Sequence, residues 1–111
     1  MTLPRFGRIV PLQGEMLELA GYVLSRDPNV NVIPASDAER IAIMQRGRTA
    51  LVRRTGWDGG YDLADWVRFL EADERHRDEL THPYAYRTTM RWIQEAIVDS
   101  DRQRLIAGMA E

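Results

Sequence analysis

The chain of 111 residues contains no cysteine and no lysine. Without cysteine it can form no disulfide, hold no metal through a thiolate and use no cysteine as a nucleophile. Its 15 basic residues are all arginine, the side chain that recognises phosphate and carboxylate groups through paired hydrogen bonds. Because the arginines also occupy positions with no apparent role, we interpret the bias chiefly as codon usage in a GC-rich genome. A compact chain without lysine and without recognisable motifs suits a small accessory protein of a GC-rich bacterium or its phage.

Long apolar runs are also missing from the sequence. No stretch approaches the roughly 18 residues that a membrane-spanning helix needs, and the N-terminus has Arg5 and Arg8 but lacks the apolar segment of a signal peptide. The apolar content of 44% and the charged content of 29% are ordinary for a soluble domain. We therefore expect one cytoplasmic domain over residues 1–111, with no membrane partner.

Motifs of catalysis and metal binding are absent as well. Serine occurs only at positions 25, 36 and 100, and the sequence contains no nucleophile elbow, phosphate-binding loop or dinucleotide fingerprint. The only two histidines, His76 and His82, are six residues apart, whereas zinc-binding histidines on a helix are four apart. We favour the interpretation that the histidines lie at a charged helix end in water. The alternative is a metal site formed by the histidines with Asp73, Asp78 and Glu79. We predict no enzyme activity, no cofactor, no metal and no small-molecule ligand.

Helical periodicity dominates what is present. Apolar stripes with the spacing of one helix face run through residues 63–70 and 86–97, and we expect these two stripes to supply much of the core. The predicted fold is mainly α, a compact bundle of about four to five helices. Their approximate ranges are 12–26, 36–55, 62–80, 83–98 and 100–109.

The second of these helices has the clearest boundaries. Ser36 followed by Glu39 matches a capping box at its start, and Gly56, which follows two arginines, is a typical stop. The interior is less regular, since Gly47 costs roughly 1 kcal/mol relative to alanine in a helix. A kinked helix, two short helices broken near Gly47, and a short strand over residues 49–54 all remain open, and a helix is favoured.

The N-terminal residues 1–11 contain Pro4, Gly7 and Pro11, which disfavour a helix. They predict an extended arm that packs onto the body of the protein or onto a partner. Residues 29–32 alternate polar and apolar side chains, which is typical of a short strand. One short strand pair, with the arm or with residues 49–54, is therefore possible in an otherwise helical fold.

Charge is distributed unevenly along the chain. Residues 1–56 carry eight arginines against five acidic residues, and residues 57–111 carry seven arginines against twelve. This asymmetry can hold the two halves of one molecule together, or it can pair two molecules head to tail.

One segment combines arginines with aromatic residues outside the core stripes. Arginine, tryptophan and tyrosine are the residues favoured at the energetic centres of protein interfaces. We therefore predict a protein that binds a partner protein or itself, in an accessory, regulatory or inhibitory role, through a surface made of Arg46, Arg48, Arg53, Arg54, Trp57 and Tyr61.

Two alternatives compete with this interpretation. The face from Arg46 to Arg54 suits non-specific binding of nucleic acid, with Trp57 and Tyr61 available for stacking on bases. The simpler alternative is that the arginines lie on a solvated face balanced by the acidic half and that Trp57 folds back onto the core.

Overall fold

The computed structural model describes residues 9–25, 32–83 and 85–109. Over these residues the chain forms six α-helices and no strand, so the predicted mainly α fold is confirmed and the helix count was too low. The possible strand at residues 29–32 lies almost entirely outside the described residues, and residues 49–54, one of its two possible partners, are helical. The helices are α1 Pro11–Leu19, α2 Asp37–Thr55, α3 Leu63–Ala72, α4 Glu74–Leu80, α5 Tyr86–Ile97 and α6 Ser100–Met109.

Helix α1 ends well before the predicted residue 26. Gly21 has a left-handed backbone with φ of 92°, and the two bonds that close the turn run from the Gly21 amide to Glu18 at 2.8 Å and from the Tyr22 amide to Leu17 at 3.1 Å. This pair of bonds is the Schellman arrangement, which glycine stabilises because it tolerates positive φ. The apolar stripe continues past Gly21 in the sequence, and for that reason the predicted helix was too long.

Helix α2 is continuous, so the favoured prediction of a helix is confirmed, and the alternatives of a break near Gly47 and of a strand over residues 49–54 are wrong. The Ser36 hydroxyl accepts from the Glu39 amide at 3.2 Å, and Gly56 ends the helix with φ of 75°, as expected. A Cβ atom at Gly47 would lie 2.4 Å from the backbone nitrogen of Leu19. Gly47 therefore allows the backbones of α1 and α2 to touch.

The predicted helix over residues 62–80 is two helices. Asp62 caps α3 by accepting from the Asp65 amide at 3.0 Å, but Asp73 has an extended backbone and breaks the helix. The Asp73 carboxylate then accepts from the Arg75 and His76 amides and starts α4. The turn directs His76 and Leu80 inward, where both are buried. Five of the seven residues of 73–79 are exposed, so the charged segment faces solvent as expected but forms a separate helix and not an extension of α3.

The last two helices also differ in detail from the prediction. Helix α5 begins at Tyr86 and not at residue 83, because Pro83 lies in the turn before it. Helix α6 begins at Ser100 as predicted. The amides of Asp101 and Arg102 donate to the Asp99 carboxylate, at 3.0 and 3.3 Å, so Asp99 caps the start of α6.

The core is built around α1, which packs against α2, α4 and α5. Gln13 joins the start of α1 to the end of α4, since its amide nitrogen donates to the carbonyls of Leu80 at 3.1 Å and His82 at 3.0 Å. Buried apolar residues come from all six described helices, and the largest fully buried side chains are Trp66, Tyr22, Leu12, Met16, Leu17, Leu19, Met44, Leu51, Leu63, Leu70, Leu80 and Ile93.

The predicted N-terminal arm falls mostly on residues 1–8, outside the described residues. Ile9, the first described residue, packs against the core as the arm was expected to do. Among the described helices, none has the combination of length and apolar character that crossing a membrane requires.

Candidate functional site

Two of the predicted surface arginines join α2 to α1. Arg46 donates to Glu18 through two nitrogens, at 2.9 and 2.6 Å, and Arg54 donates to Glu15 at 2.6 and 2.7 Å. The two acceptors lie about one helical turn apart on α1, along the same seam as Gly47. These two ion pairs therefore join α1 and α2 at the protein surface, next to the close backbone contact at Gly47.

Arg48 lies on the opposite flank of α2, over the loop that precedes α3. It donates to both oxygens of Asp58, at 2.9 and 2.7 Å, and its guanidinium carbon lies 4.9 Å from the centre of the Tyr61 ring. The hydrogen bond to Asp58 raises the pKa of Arg48 and lowers the pKa of Asp58, so both stay charged at neutral pH. The loop is thereby fixed against α2.

Arg53 differs from the other three arginines. It is exposed, and it makes no hydrogen bond or ion pair with any residue that the structure describes. The structure therefore does not gather Arg46, Arg48, Arg53 and Arg54 on one free basic face. Three of them are paired with carboxylates on both sides of α2, and one faces solvent.

Trp57 folds back onto the body of the protein. Its ring stacks on Phe69 with centroids 4.3 Å apart and meets the edge of Trp66 at 4.9 Å. A Cβ atom at Gly59 would lie 2.3 Å from the Trp57 ring, so the glycine leaves room for that ring. Trp57 remains partly accessible, but most of its contacts extend the core.

Tyr61 lies between two depressions of the surface. On one side is an open groove of about 630 Å³ between the 59–64 segment and helices α5 and α6, lined chiefly by apolar side chains such as Leu63, Ile97 and Ile106. On the other side is a depression of about 440 Å³ that includes Arg48 and other α2 residues. Tyr61 is half-buried and belongs to both walls, so it is the predicted residue that the structure places most clearly on a concave surface.

Sequence reasoning missed a buried arginine pair next to this groove. Arg40 is 4% exposed and Arg102 is 3% exposed. Arg40 donates to Asp99 at 2.9 Å and to the Ala20 carbonyl at 3.3 Å, and Arg102 donates to the Leu19 and Tyr61 carbonyls at 3.0 and 2.8 Å. The two side chains thus bind the C-terminal carbonyls of α1, where the helix dipole favours cations.

A sequence pattern could have indicated both members of the pair. Arg40 falls on the same helical face as Met44, Gly47 and Leu51, at spacings of four, seven and eleven residues. An arginine in line with the buried face of a helix needs acceptors in the interior. Arg102 is likewise followed by Leu105, Ile106 and Met109 at spacings of three, four and seven residues, but its acceptors come from distant parts of the chain.

The cluster shifts the titration of its members. Burial, reinforced by the charge of Arg40, lowers the pKa of Arg102 to about 10. Burial also raises the pKa of Tyr22 to about 12, and the Tyr22 hydroxyl donates to the Trp92 carbonyl at 2.9 Å. Burial alone would raise the pKa of Asp99, but bonds from Arg40 and two backbone amides outweigh it and hold the pKa below its usual value.

The histidines do not form a metal site with their neighbours in the described part of the chain, which contains no group of three or more potential metal ligands. His76 is buried, and its Nδ1 lies 3.6 Å from Asp73. His82 lies in the turn after α4, where its carbonyl accepts from Gln13.

A comparison of the chain with protein-family models, with curated proteins and with solved structures finds no significant match. The candidate surface must therefore be interpreted from its own residues.

Proposed function

We propose that the protein acts by binding another protein, or a second copy of itself, through the surface on either side of Tyr61. The observation that carries this proposal is the position of Tyr61, a half-buried aromatic ring that forms a shared wall of an apolar groove and a polar depression. Tyrosine and arginine at the centre of a concave surface are typical of interface hot spots, and Arg48 lies directly against the Tyr61 ring.

The six predicted residues take different roles in this proposal. Tyr61 and Arg48 contact the partner at the centre, and Arg53, one helical turn from Thr49 of the polar depression, contacts it at the rim. Trp57 supports the loop from beneath through its stacking on Phe69. Arg46 and Arg54 contribute indirectly by fixing α2 on α1.

Exposed apolar surface beside the groove supports the same conclusion. Val98 is 76% exposed and directly follows Ile97 of the groove wall. A protein partner that covered the groove and Val98 together would remove apolar surface from water, which is the main favourable contribution in most protein association.

The ion pairs argue against the nucleic-acid alternative. Arg46, Arg48 and Arg54 each have a carboxylate partner, which reduces the positive field that attracts phosphate groups. We expect no shift of DNA or RNA in a gel at low salt, the condition in which non-specific binding is strongest. A shift at low salt that Arg53→Glu abolished would favour the alternative.

Sedimentation velocity over a range of concentrations tests the version in which the protein binds itself. The comparison uses the wild type, Tyr61→Ala and Tyr86→Ala, because Tyr86 is an exposed tyrosine on α5 that does not line the groove. We expect any dimer of the wild type to be lost in Tyr61→Ala and kept in Tyr86→Ala. Equal dimerisation of the three proteins would contradict the assignment of the interface.

For a different protein as partner, the same three proteins serve as bait in an extract of the native host. A binding partner of the Tyr61 surface is retained by the wild type and by Tyr86→Ala but not by Tyr61→Ala. Retention that is the same for all three baits would show that the partner uses another surface.

A further inference from the structure

The wall of the groove contains a buried cation that has no anionic partner among the residues that the structure describes. Arg102 is 3% exposed and lines the groove, and within the described part of the chain it donates only to the neutral carbonyls of Leu19 and Tyr61. Its Nε has no hydrogen-bond partner among the described residues. Buried arginines are ordinarily paired with a carboxylate, and in this cluster the one ion pair is that of Arg40 with Asp99.

The cluster therefore carries excess positive charge. Two buried guanidinium groups face one carboxylate, and the C-terminal dipole of α1 offsets only about half of a unit charge. Asp62, which also lines the groove, acts on Arg102 through space but forms no ion pair with it. A positive remainder is left beside the groove.

The groove itself is suited to an apolar chain. Its lining includes Leu63, Ala64, Ile97, Ile106 and Ala107, and its volume of about 630 Å³ lies within the range of roughly 300–1,000 Å³ that small-molecule sites occupy. An apolar cleft with a few convergent polar groups is the usual form of such sites.

We propose that this groove binds a medium-chain carboxylic acid, with the carboxylate directed towards Arg102 and the alkyl chain lying along Leu63, Ile97 and Ile106. A monocarboxylate fits better than a phosphate dianion, because the groove offers one unpaired cation and Asp62 at the same wall repels a second negative charge. The inference does not depend on the proposed protein partner, since the acid binds the isolated chain.

Two-dimensional NMR titration with decanoate tests the proposal, and decanol is the matched control because it has the same chain without the charge. We expect decanoate to shift the backbone signals of Leu63, Ile106 and Ala107. Decanoate should also bind roughly tenfold or more tightly than decanol, as the gain from a charge-assisted hydrogen bond requires. Equal affinity for the two compounds, or shifts confined to other surfaces, would overturn the proposal.

Two variants complete the test. Arg102→Met should abolish the preference for decanoate over decanol, and circular dichroism must show that this variant remains folded.

Because loss of the buried arginine can also unfold α6, Ala107→Phe provides a second variant that keeps Arg102 and fills the groove from an exposed position. We expect Ala107→Phe to weaken decanoate binding about tenfold or more, by removing the space for the chain, and Tyr86→Ala to leave it unchanged. Unaltered decanoate binding to Ala107→Phe would place the acid elsewhere and contradict the proposal.

Discussion

At the scale of single residues, two glycines inside helices have opposite surroundings. A Cβ atom at Gly47 of α2 would meet the backbone of α1 at 2.4 Å, whereas a Cβ atom at Gly108 of α6 would have no described atom within 4 Å. Glycine has the same intrinsic helix propensity at both positions, so the difference in packing decides the sign of the effect of a substitution.

Alanine substitution at these two positions should therefore have effects of opposite sign. We expect Gly47→Ala to lower the free energy of unfolding by about 2 kcal/mol, because α1 must move away from α2. Gly108→Ala should raise it by up to about 0.5 kcal/mol through helix propensity near a helix end. Urea denaturation monitored by circular dichroism measures both changes, and a Gly47→Ala protein as stable as the wild type would refute the close contact.

Gly47 also shows what the sequence could not predict. Its helix propensity indicated a weak point in the helix, whereas the structure contains an unbroken helix and a close contact with another helix. Only the position of α1 reveals this reason, and that position depends on the whole fold. Arg40 is a related case, since the spacing marked it for the buried face but its acceptors, Asp99 and the end of α1, are not adjacent in sequence.

The ion pair between Arg40 and Asp99 predicts a dependence of stability on acid pH. Because the pKa of Asp99 in the folded protein is below its usual value of 3.8, its carboxylate stabilises the fold above that pH, and this contribution is lost as the pH falls through the lowered pKa. We expect Asp99→Asn to be about 2–3 kcal/mol less stable than the wild type at neutral pH, since it leaves Arg40 without a charged partner.

The difference in the free energy of unfolding between the wild type and Asp99→Asn should decrease as the pH falls below about 4, because the wild type then loses the same interaction. Urea denaturation of both proteins at a series of pH values gives the comparison. Asp58→Asn is a suitable control, because Asp58 is also ion-paired but lies on the surface, where such pairs contribute at most about 1 kcal/mol. If the difference in the free energy of unfolding between Asp99→Asn and the wild type stayed constant down to the most acidic pH, the titration of Asp99 would not be coupled to folding.

At the scale of helices, the boundaries set by local chemistry agree with the sequence. Three helix ends lie where the sequence indicated, at Ser36, Gly56 and Asp62. Each of these residues caps its helix through a bond to a close neighbour along the chain. The boundary at Asp73 was missed because the charges around it suit a continuous helix in water. The break follows from the burial of His76 and Leu80, a tertiary effect that the charge pattern conceals.

Replacement of the capping residue tests the role of Asp73. We expect Asp73→Ala to lower the free energy of unfolding by about 1 kcal/mol, as the loss of a helix cap does. Hydrogen exchange should show the change locally, with faster exchange of the Arg75 and His76 amides and little change within α1. Uniform acceleration of exchange across all helices would indicate instead that Asp73 acts on the whole fold.

At the scale of the whole molecule, part of the uneven charge of the sequence is matched between its two halves. Arginines of residues 1–56 pair with acidic residues of 57–111 in Arg40 with Asp99, Arg48 with Asp58 and Arg54 with Glu79. The first of the two possibilities raised by the sequence is therefore present within one molecule, and head-to-tail pairing of two molecules stays a prediction.

The candidate surface could be predicted only in part from the sequence. The segment that contains Tyr61 was identified by its aromatic and basic composition, but composition does not reveal which side chains are already engaged within the fold. The apolar groove could not be predicted at all, because its walls come from α3, α5 and α6. Its buried Arg102 reaches across to the end of α1, so the groove exists only once the helices have packed.

Site-specific photocrosslinking from the Tyr61 surface tests the proposed function most directly. A photoreactive phenylalanine derivative is placed at position 61 in one protein and at position 86 in another, and both are expressed in the native host and irradiated. The proposed function predicts a discrete crosslinked product, either a dimer of this chain or a complex with one partner, from position 61 and not from position 86. Crosslinking from position 86 alone, or none from position 61 while the protein is folded and abundant, would contradict it.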